Sequence, residues 1–378
     1  MLLKIRKTFS QQQLAADLRM PSTEQPRFFT WEHRRLFIHA AKTALAALLC
    51  WTIALHLGLQ DGYWGIITAI IVLQSNVGST VTASRDRVLG TIIGALFGFA
   101  FSLFGALPWN FLLALLASTI VCGLLGFKSS SRLAGVTVTI VMVVQKTGSH
   151  WTVALNRVIE VLLGIAIALA VSTLILPDRA RFRLREGLAQ EYLLLGSLFE
   201  AILQGFRGAP AAQLADLRRR ADEKIRANDQ LIESARHEPS GAHGMMEGLS
   251  LLTQFASSIS DALSALELAV QESHNDRFAQ QLEPALGKLA VDIAAAFDYS
   301  ANCIYNWKFH IAPEKLHLEE DIAQLEIRMG EVRHTGISFS QDDILRAYAV
   351  QLHLKQLARL LRASRIETRR AIDEPETA

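Results

Sequence analysis

Charge is what the first half of this chain has least of. Between residues 43 and 145 only Asp61, Arg85, Asp86, Arg87, Lys128 and Arg132 are charged, six of 103 positions. A helix on the surface of a soluble domain carries a polar stripe along one face, so this stretch is not a soluble domain. Cysteine is nearly as scarce. Cys50 and Cys122 lie in apolar runs and Cys303 in the polar half. No pair has the spacing of a metal knuckle or a redox motif, which excludes a disulfide scaffold and leaves packing as their use. The first thirty residues contain basic groups but no apolar core ending in a small-residue cleavage site, so no removed signal peptide is expected. The eleven histidines form no His-Glu-x-x-His set, and there is no Walker A loop, nucleophile elbow or dinucleotide fingerprint. The expectation is a protein that is not an enzyme, holds no cofactor or metal, and does not drive transport with ATP by itself.

What is present divides in two. The chain has 378 residues, 51% of them apolar, and a formal net charge of +2. Those figures average unlike halves: residues 1–177 carry 14 basic and 6 acidic groups, and residues 178–378 carry 24 and 30. The acidic excess of the second half does not suggest a nucleic-acid surface. A bilayer core of about 30 Å takes about 20 helical residues. Apolar segments near that length can be drawn at 36–58, 63–81, 88–106, 109–126, 132–146 and 153–176, the fifth being short. Backbone groups in lipid must pair within their own segment, so these are helices. The expected organisation is a cytoplasmic segment over 1–35, a six-helix transmembrane domain over 36–177 and a cytoplasmic helical domain over 178–378.

Lysine and arginine set the orientation. Seven precede the first span, two lie in the 2–3 turn, two in the 4–5 turn, and Arg179, Arg181, Arg183 and Arg185 follow the sixth span. All fifteen fall on one side and only Lys146 on the other, which predicts cytoplasmic N- and C-termini. Tyr63, Trp64, Trp109 and Trp151 fall at the opposite boundary, where an aromatic belt belongs.

An internal repeat is also legible. Arg87-Val-Leu-Gly-Thr-Ile-Ile-Gly94 resembles Arg157-Val-Ile-Glu-Val-Leu-Leu-Gly164 at an offset of 70, and Ile67 through Gln74 resembles Val138 through Gln145 at 71. Leu45–Cys50 and Ala117–Cys122 match weakly at 72. The offsets place span 1 on span 4, 2 on 5 and 3 on 6. Three is odd, so the second copy runs upside down, an arrangement typical of transporters and channels.

Tyr63-Trp-Gly-Ile-Ile-Thr-Ala-Ile-Ile-Val-Leu-Gln74, Gly78 and the Arg87–Gly94 run resemble the signature of the fusaric acid resistance and aromatic acid exporter family. Arg157 through Gly164 and the closing Leu174-Ile-Leu-Pro177 resemble that family's last span. The motif-level resemblance covers about residues 35–180, and beyond it only the layout is similar. It implies an all-α membrane protein: six transmembrane helices as an inverted 3+3 repeat, followed by a cytoplasmic helical bundle. It implies export of small aromatic carboxylates across the inner membrane, and a homodimer, because many bacterial members carry two six-span halves in one chain. A periplasmic adaptor is a further partner that some such exporters require. Plant aluminium-activated malate channels share the layout, so an anion channel is an alternative, as is a non-transporting scaffold whose bundle binds a partner.

Ionisable groups at membrane depth are functional candidates by default. Lys42, a turn inside span 1, either snorkels to the surface or draws anions to the inner mouth. Arg87 either marks the topology, with Arg85, or lines the path. Arg157 and Glu160 share a helix face at i,i+3 spacing, placed at the outer boundary, and form either a structural ion pair or a gate. Gln74, Asn76 and their small polar neighbours either bind helices together or line a path that hydrogen-bonds a solute. Gln145, the repeat counterpart of Gln74, completes the candidates. Gly90, Gly94 and Gly98, four residues apart, read as a close-packing face.

In the second half the period becomes helical and amphipathic. Leu184, Leu188, Tyr192 and Leu195 share one face, as do Leu318, Ile322, Leu325 and Met329. Helices are predicted over 179–206, 210–236, 245–274, 282–309, 314–333 and 341–372. Gly205 to Pro210, Glu238 to Gly244 and Arg333 to Gly336 read as linkers. This bundle is expected to pair with a second copy of itself.

Overall fold

A computed structural model of the chain describes residues 31–59, 61–105, 107–143, 150–206, 212–238, 243–271, 277–308, 317–333 and 341–373. Those residues form twelve α-helices and no strand. They are Trp31–His56 (α1), Tyr63–Val72 (α2), Val77–Ser102 (α3), Pro108–Leu124 (α4), Lys128–Val143 (α5), His150–Leu174 (α6), Ala180–Phe206 (α7), Ala212–Arg236 (α8), His243–Gln271 (α9), Arg277–Asn306 (α10), Leu318–Arg333 (α11) and Gln341–Asp373 (α12). They belong to two compact units, one within Glu24–Ala180 and Ser234–Pro239, the other within Arg181–Glu233 and Ser240–Ala378.

In the first unit α3 packs on α5 and α6, α2 on α6, α1 on α2 and α6, and α4 on α3 and α5, with thinner contacts of α2 on α3 and α5 on α6. Exchanging α1 with α4, α2 with α5 and α3 with α6 maps this set of contacts onto itself. Two glycines, 70 residues apart, explain the matching crossings. A Cβ on Gly164 of α6 would strike the Gly65 carbonyl oxygen and lie 2.9 Å from Thr68 Cβ on α2. A Cβ on Gly94 of α3 would strike the Ala134 carbonyl oxygen and lie 2.7 Å from Thr137 Cβ on α5. Gly90 and Gly98 also face α5, so the glycine row is a close-packing face. The outer surface is apolar, with Leu55, Leu96, Phe104, Trp109, Leu124 and Leu162 exposed. Water-soluble monomers rarely expose so continuous an apolar surface.

Span boundaries differ from expectation at one place. The segment expected over 63–81 is only the ten-residue α2, and α3 begins at Val77, not at 88. Asn76 causes the break. Its Oδ1 accepts from Ser79 N at 2.8 Å as the N-cap of α3, while Thr80 Oγ1 accepts from Gln74 N at 3.0 Å and donates to the Asn76 carbonyl. Side chains thus supply the partners that a continuous helix would have supplied. Arg85, Asp86 and Arg87 consequently lie inside α3 and not at its start. Leu36–His56 and Trp151–Leu174 are long and apolar enough to cross a bilayer, whereas Tyr63–Val72 and Pro108–Leu124 are apolar but shorter.

The second unit is a helical bundle whose bounds follow the sequence periodicity. Leu184, Leu188, Tyr192 and Leu195 are fully buried, and Ile322, Leu325 and Met329 join the same core. Phe199 of α7 meets Phe297 of α10 at 6.2 Å between ring centroids, and the Tyr192 hydroxyl bonds Ser364 Oγ of α12 at 2.5 Å. Helix α10 starts at Arg277, earlier than the expected 282, and carries Pro284 in its interior. The three expected linkers lie largely outside the described residues. Two buried carboxyls stand out. Glu191 accepts from Asn228 Nδ2 at 2.6 Å, and burial outweighs that bond, pushing its carboxyl up to about 7. Burial and the facing Asp321 carboxylate push Asp292 up to about 6.

Candidate functional site

Arg157 and Glu160 form an ion pair with both side chains almost fully buried. One turn apart on α6, they meet at 3.2 Å between Nη1 and Oε2. The Arg157 guanidinium also lies over the indole of Trp64 on α2, 3.6 Å from the ring centroid. Guanidinium over indole is a favourable cation–π contact, stronger where water is excluded. Tyr63 packs beside Trp64 at 5.3 Å and lies within electrostatic reach of Arg157.

Arg87 enters the same cluster from α3. It is 3% exposed, donates from Nη2 to Thr68 Oγ1 of α2 at 3.3 Å, and is near enough to Arg157 for their like charges to interact. Here the expectation needs revision, because Arg87 and Arg157 were expected at opposite membrane boundaries. With α3 starting at Val77, Arg87 lies ten residues into its helix, about 15 Å along the axis. The α3–α6 crossing then brings the two arginines together. A single described carboxylate stands against two guanidinium groups. Trp64 Nε1, Arg87 Nε, Arg157 Nη2 and Thr91 Oγ1 are buried polar atoms with no hydrogen-bond partner. Buried donors left unpaired are costly, so those on Trp64, Arg87 and Arg157, with Thr91 one turn beyond Arg87 on α3, mark a site suited to an acceptor-rich anion.

Other candidates sit elsewhere. Lys42, 9% exposed, donates from Nζ to the Leu176 carbonyl at 2.7 Å, beyond the end of α6, where Leu176 has φ +45°. Asn76 is the α3 cap, and Gln74 is exposed with Nε2 donating to the Ile71 carbonyl at 2.9 Å. Neither reaches the arginine cluster. Gln145 lies outside the described residues. Sequence reasoning did not single out Thr68 and Thr91, and it placed Trp64 in the aromatic belt and the family motif but not among the site residues. Its place directly after Tyr63 in the motif was the available signal. Cys50, Cys122 and Cys303 are buried and unpaired with one another, as packing residues.

Comparison with known proteins adds the lineage. The chain is 29% identical over 153 residues to the inner membrane protein YccS of Escherichia coli K12, covering 40% of this chain and 21% of that protein. It is 31% identical over 140 residues to YdhK of the same organism, described as an uncharacterized transporter, covering 34% of this chain and 21% of YdhK. An uncharacterized protein of Neisseria gonorrhoeae matches at 23% over 209 residues, 54% of this chain and 50% of that protein. The matched stretch therefore spans about a fifth of the length of the first two relatives. The profile of the fusaric acid resistance protein family matches residues 37–377, nearly the whole sequence, and the chain belongs to that family.

Proposed function

We propose that this chain is a secondary exporter that moves small organic anions, aromatic carboxylates among them, out across the inner membrane. The observation that carries this reading is the Arg87–Arg157–Trp64–Glu160 cluster: a buried excess of positive charge with unpartnered donors, on helices whose outer surface is apolar. A net charge taken out of water is unfavourable without a counter-ion, and a carboxylate accepts from guanidinium, indole and hydroxyl groups alike. Membership in a resistance family and the inner-membrane and transporter descriptions of its relatives agree with that reading.

In this reading α1–α6 are six spans arranged as an inverted 3+3 repeat, with both termini cytoplasmic, and the self-mapping contacts support it. The domain plan is then a membrane domain over 36–177 and a cytoplasmic bundle over 178–378. The substrate path passes where the two copies meet, with Arg87 and Arg157 as its central groups. A homodimer completes the unit, and a periplasmic adaptor extends it.

The test is efflux of radiolabelled benzoate from preloaded cells of a deletion strain carrying the wild-type chain, Arg87→Ala or Arg157→Ala at equal expression. Each variant is expected to lose about tenfold or more of the rate. Unchanged efflux from both overturns the path assignment. In proteoliposomes, currents that follow the benzoate gradient without any pH dependence of accumulation replace the exporter by a channel.

A further inference from the structure

The cluster has a definite charge count, and the count has a chemical meaning. Among the described residues it holds two guanidinium groups, Arg87 and Arg157, and one carboxylate, Glu160, all buried to 3% exposure or less. Tyr63 lies within electrostatic reach of Arg157. Glu160 Oε2 occupies Nη1 of Arg157, leaving Arg157 Nη2, Arg87 Nε, Trp64 Nε1 and Thr91 Oγ1 as unpartnered buried atoms. Unpartnered donors thus remain beside the Arg157–Glu160 pair, and the charges of the described groups sum to +1. In a low-dielectric site the favoured occupant is the one that brings the sum to zero.

We propose that Glu160 determines substrate charge: by cancelling one of the two arginines it makes the site select monoanions over dianions. This rests on the anion-transport reading above and adds the substrate's valence to it. A monocarboxylate neutralises the site and finds unpartnered donors waiting. A dicarboxylate leaves a buried excess of negative charge beside Glu160. Glutamine at 160 keeps a side-chain oxygen that can accept from Arg157 but removes the charge, raising the count to +2. Glutamine at 87 lowers it to zero. With both changes it returns to +1, by a different route and with a different set of contacts.

The experiment measures binding of benzoate and phthalate, one ring bearing one or two carboxylates, to the purified full-length chain in detergent by calorimetry. The pH is held where both phthalate carboxyls are ionised. The wild type is expected to favour benzoate. Glu160→Gln is expected to shift the benzoate-to-phthalate affinity ratio toward phthalate by about tenfold or more, since one full charge is removed beside the ligand. Arg87→Gln loses benzoate binding, and Arg87→Gln with Glu160→Gln recovers it, which a purely structural ion pair does not explain. The inference is overturned if Glu160→Gln binds benzoate with an unchanged ratio, or if the double variant stays as weak as Arg87→Gln. Should Glu160→Gln not fold, that second comparison decides alone. If the wild type binds neither anion, or if Arg87→Gln and Arg157→Gln leave benzoate affinity intact, it is the transport reading itself that fails.

Discussion

Replacing Glu191 by glutamine should make the helical bundle more stable at neutral and higher pH, although it deletes a charge that hydrogen-bonds Asn228. Glu191 is fully buried between α7 and α8, with Oε2 bonded to Asn228 Nδ2 at 2.6 Å and its other oxygen unpartnered. Asn228 Oδ1 is likewise buried without a partner. Burial moves the carboxyl from the usual 4.5 up to about 7, with the Asn228 bond and the Lys224 charge only partly opposing it. An acid raised in the folded state binds more protons folded than unfolded, so stability falls as pH rises from about 4.5 to about 7 and stays low above that. The full span corresponds to at most about 3 kcal/mol, and relaxation of the site brings the expected effect to about 1–3 kcal/mol. Glutamine's amide offers both N–H donors and a carbonyl acceptor, which can meet the Oδ1 and Nδ2 of Asn228, and is neutral at every pH. A domain of this size gains about 2–4 °C per kcal/mol. Calorimetric melting of the full-length protein in detergent at pH 5 and pH 8 reads it directly. The wild-type bundle transition should drop between those values and that of Glu191→Gln should not. A variant that melts below wild type at pH 8, or a wild type whose bundle is no less stable at pH 8 than at pH 5, refutes the reasoning.

Three further outcomes follow from the same structure. Tyr192→Phe strands the buried Ser364 hydroxyl and should cost about 1–2 kcal/mol in denaturant unfolding, most of it recovered by adding Ser364→Ala. Gly164→Leu puts a side chain where α6 meets the α2 backbone at Gly65, and should abolish a monodisperse peak in size-exclusion chromatography while the same change at exposed Gly123 does not. Asp321→Asn removes the carboxylate facing Asp292. The Asp292 carboxyl, held up to about 6, then falls toward its ordinary range, and the loss of bundle stability between about pH 4 and 6 becomes smaller in pH-dependent melts.

Much of the helix inventory was readable in advance, and the reason differs between the halves. In the bundle the 3.6-residue period names both the helix and its buried face, so Leu184, Leu188, Tyr192 and Leu195 could be assigned to the core without coordinates. In the first unit hydropathy locates apolar segments, yet it is nearly blind to where one helix stops within a polar but uncharged stretch. The break at Asn76 depends on a side-chain oxygen finding Ser79 N, a local contest between capping and helix continuation that hydropathy does not weigh. That small error moved Arg87 from a boundary to the middle of α3 and hid its meeting with Arg157.

The amino-acid sequence by itself determined the split between an apolar and a polar half, the likeness of the runs that begin at Arg87 and Arg157, and the i,i+3 approach of Arg157 and Glu160, because composition, order and helical period are properties of the chain alone. Only the tertiary structure decided that these groups share one buried cluster with Trp64 and Thr68, that Lys42 bonds a helix-end carbonyl, and that Glu191 is buried against an amide. Each of those depends on how helices cross, and a crossing is set by contacts such as Gly164 on Gly65, between residues that nothing in the linear order brings together.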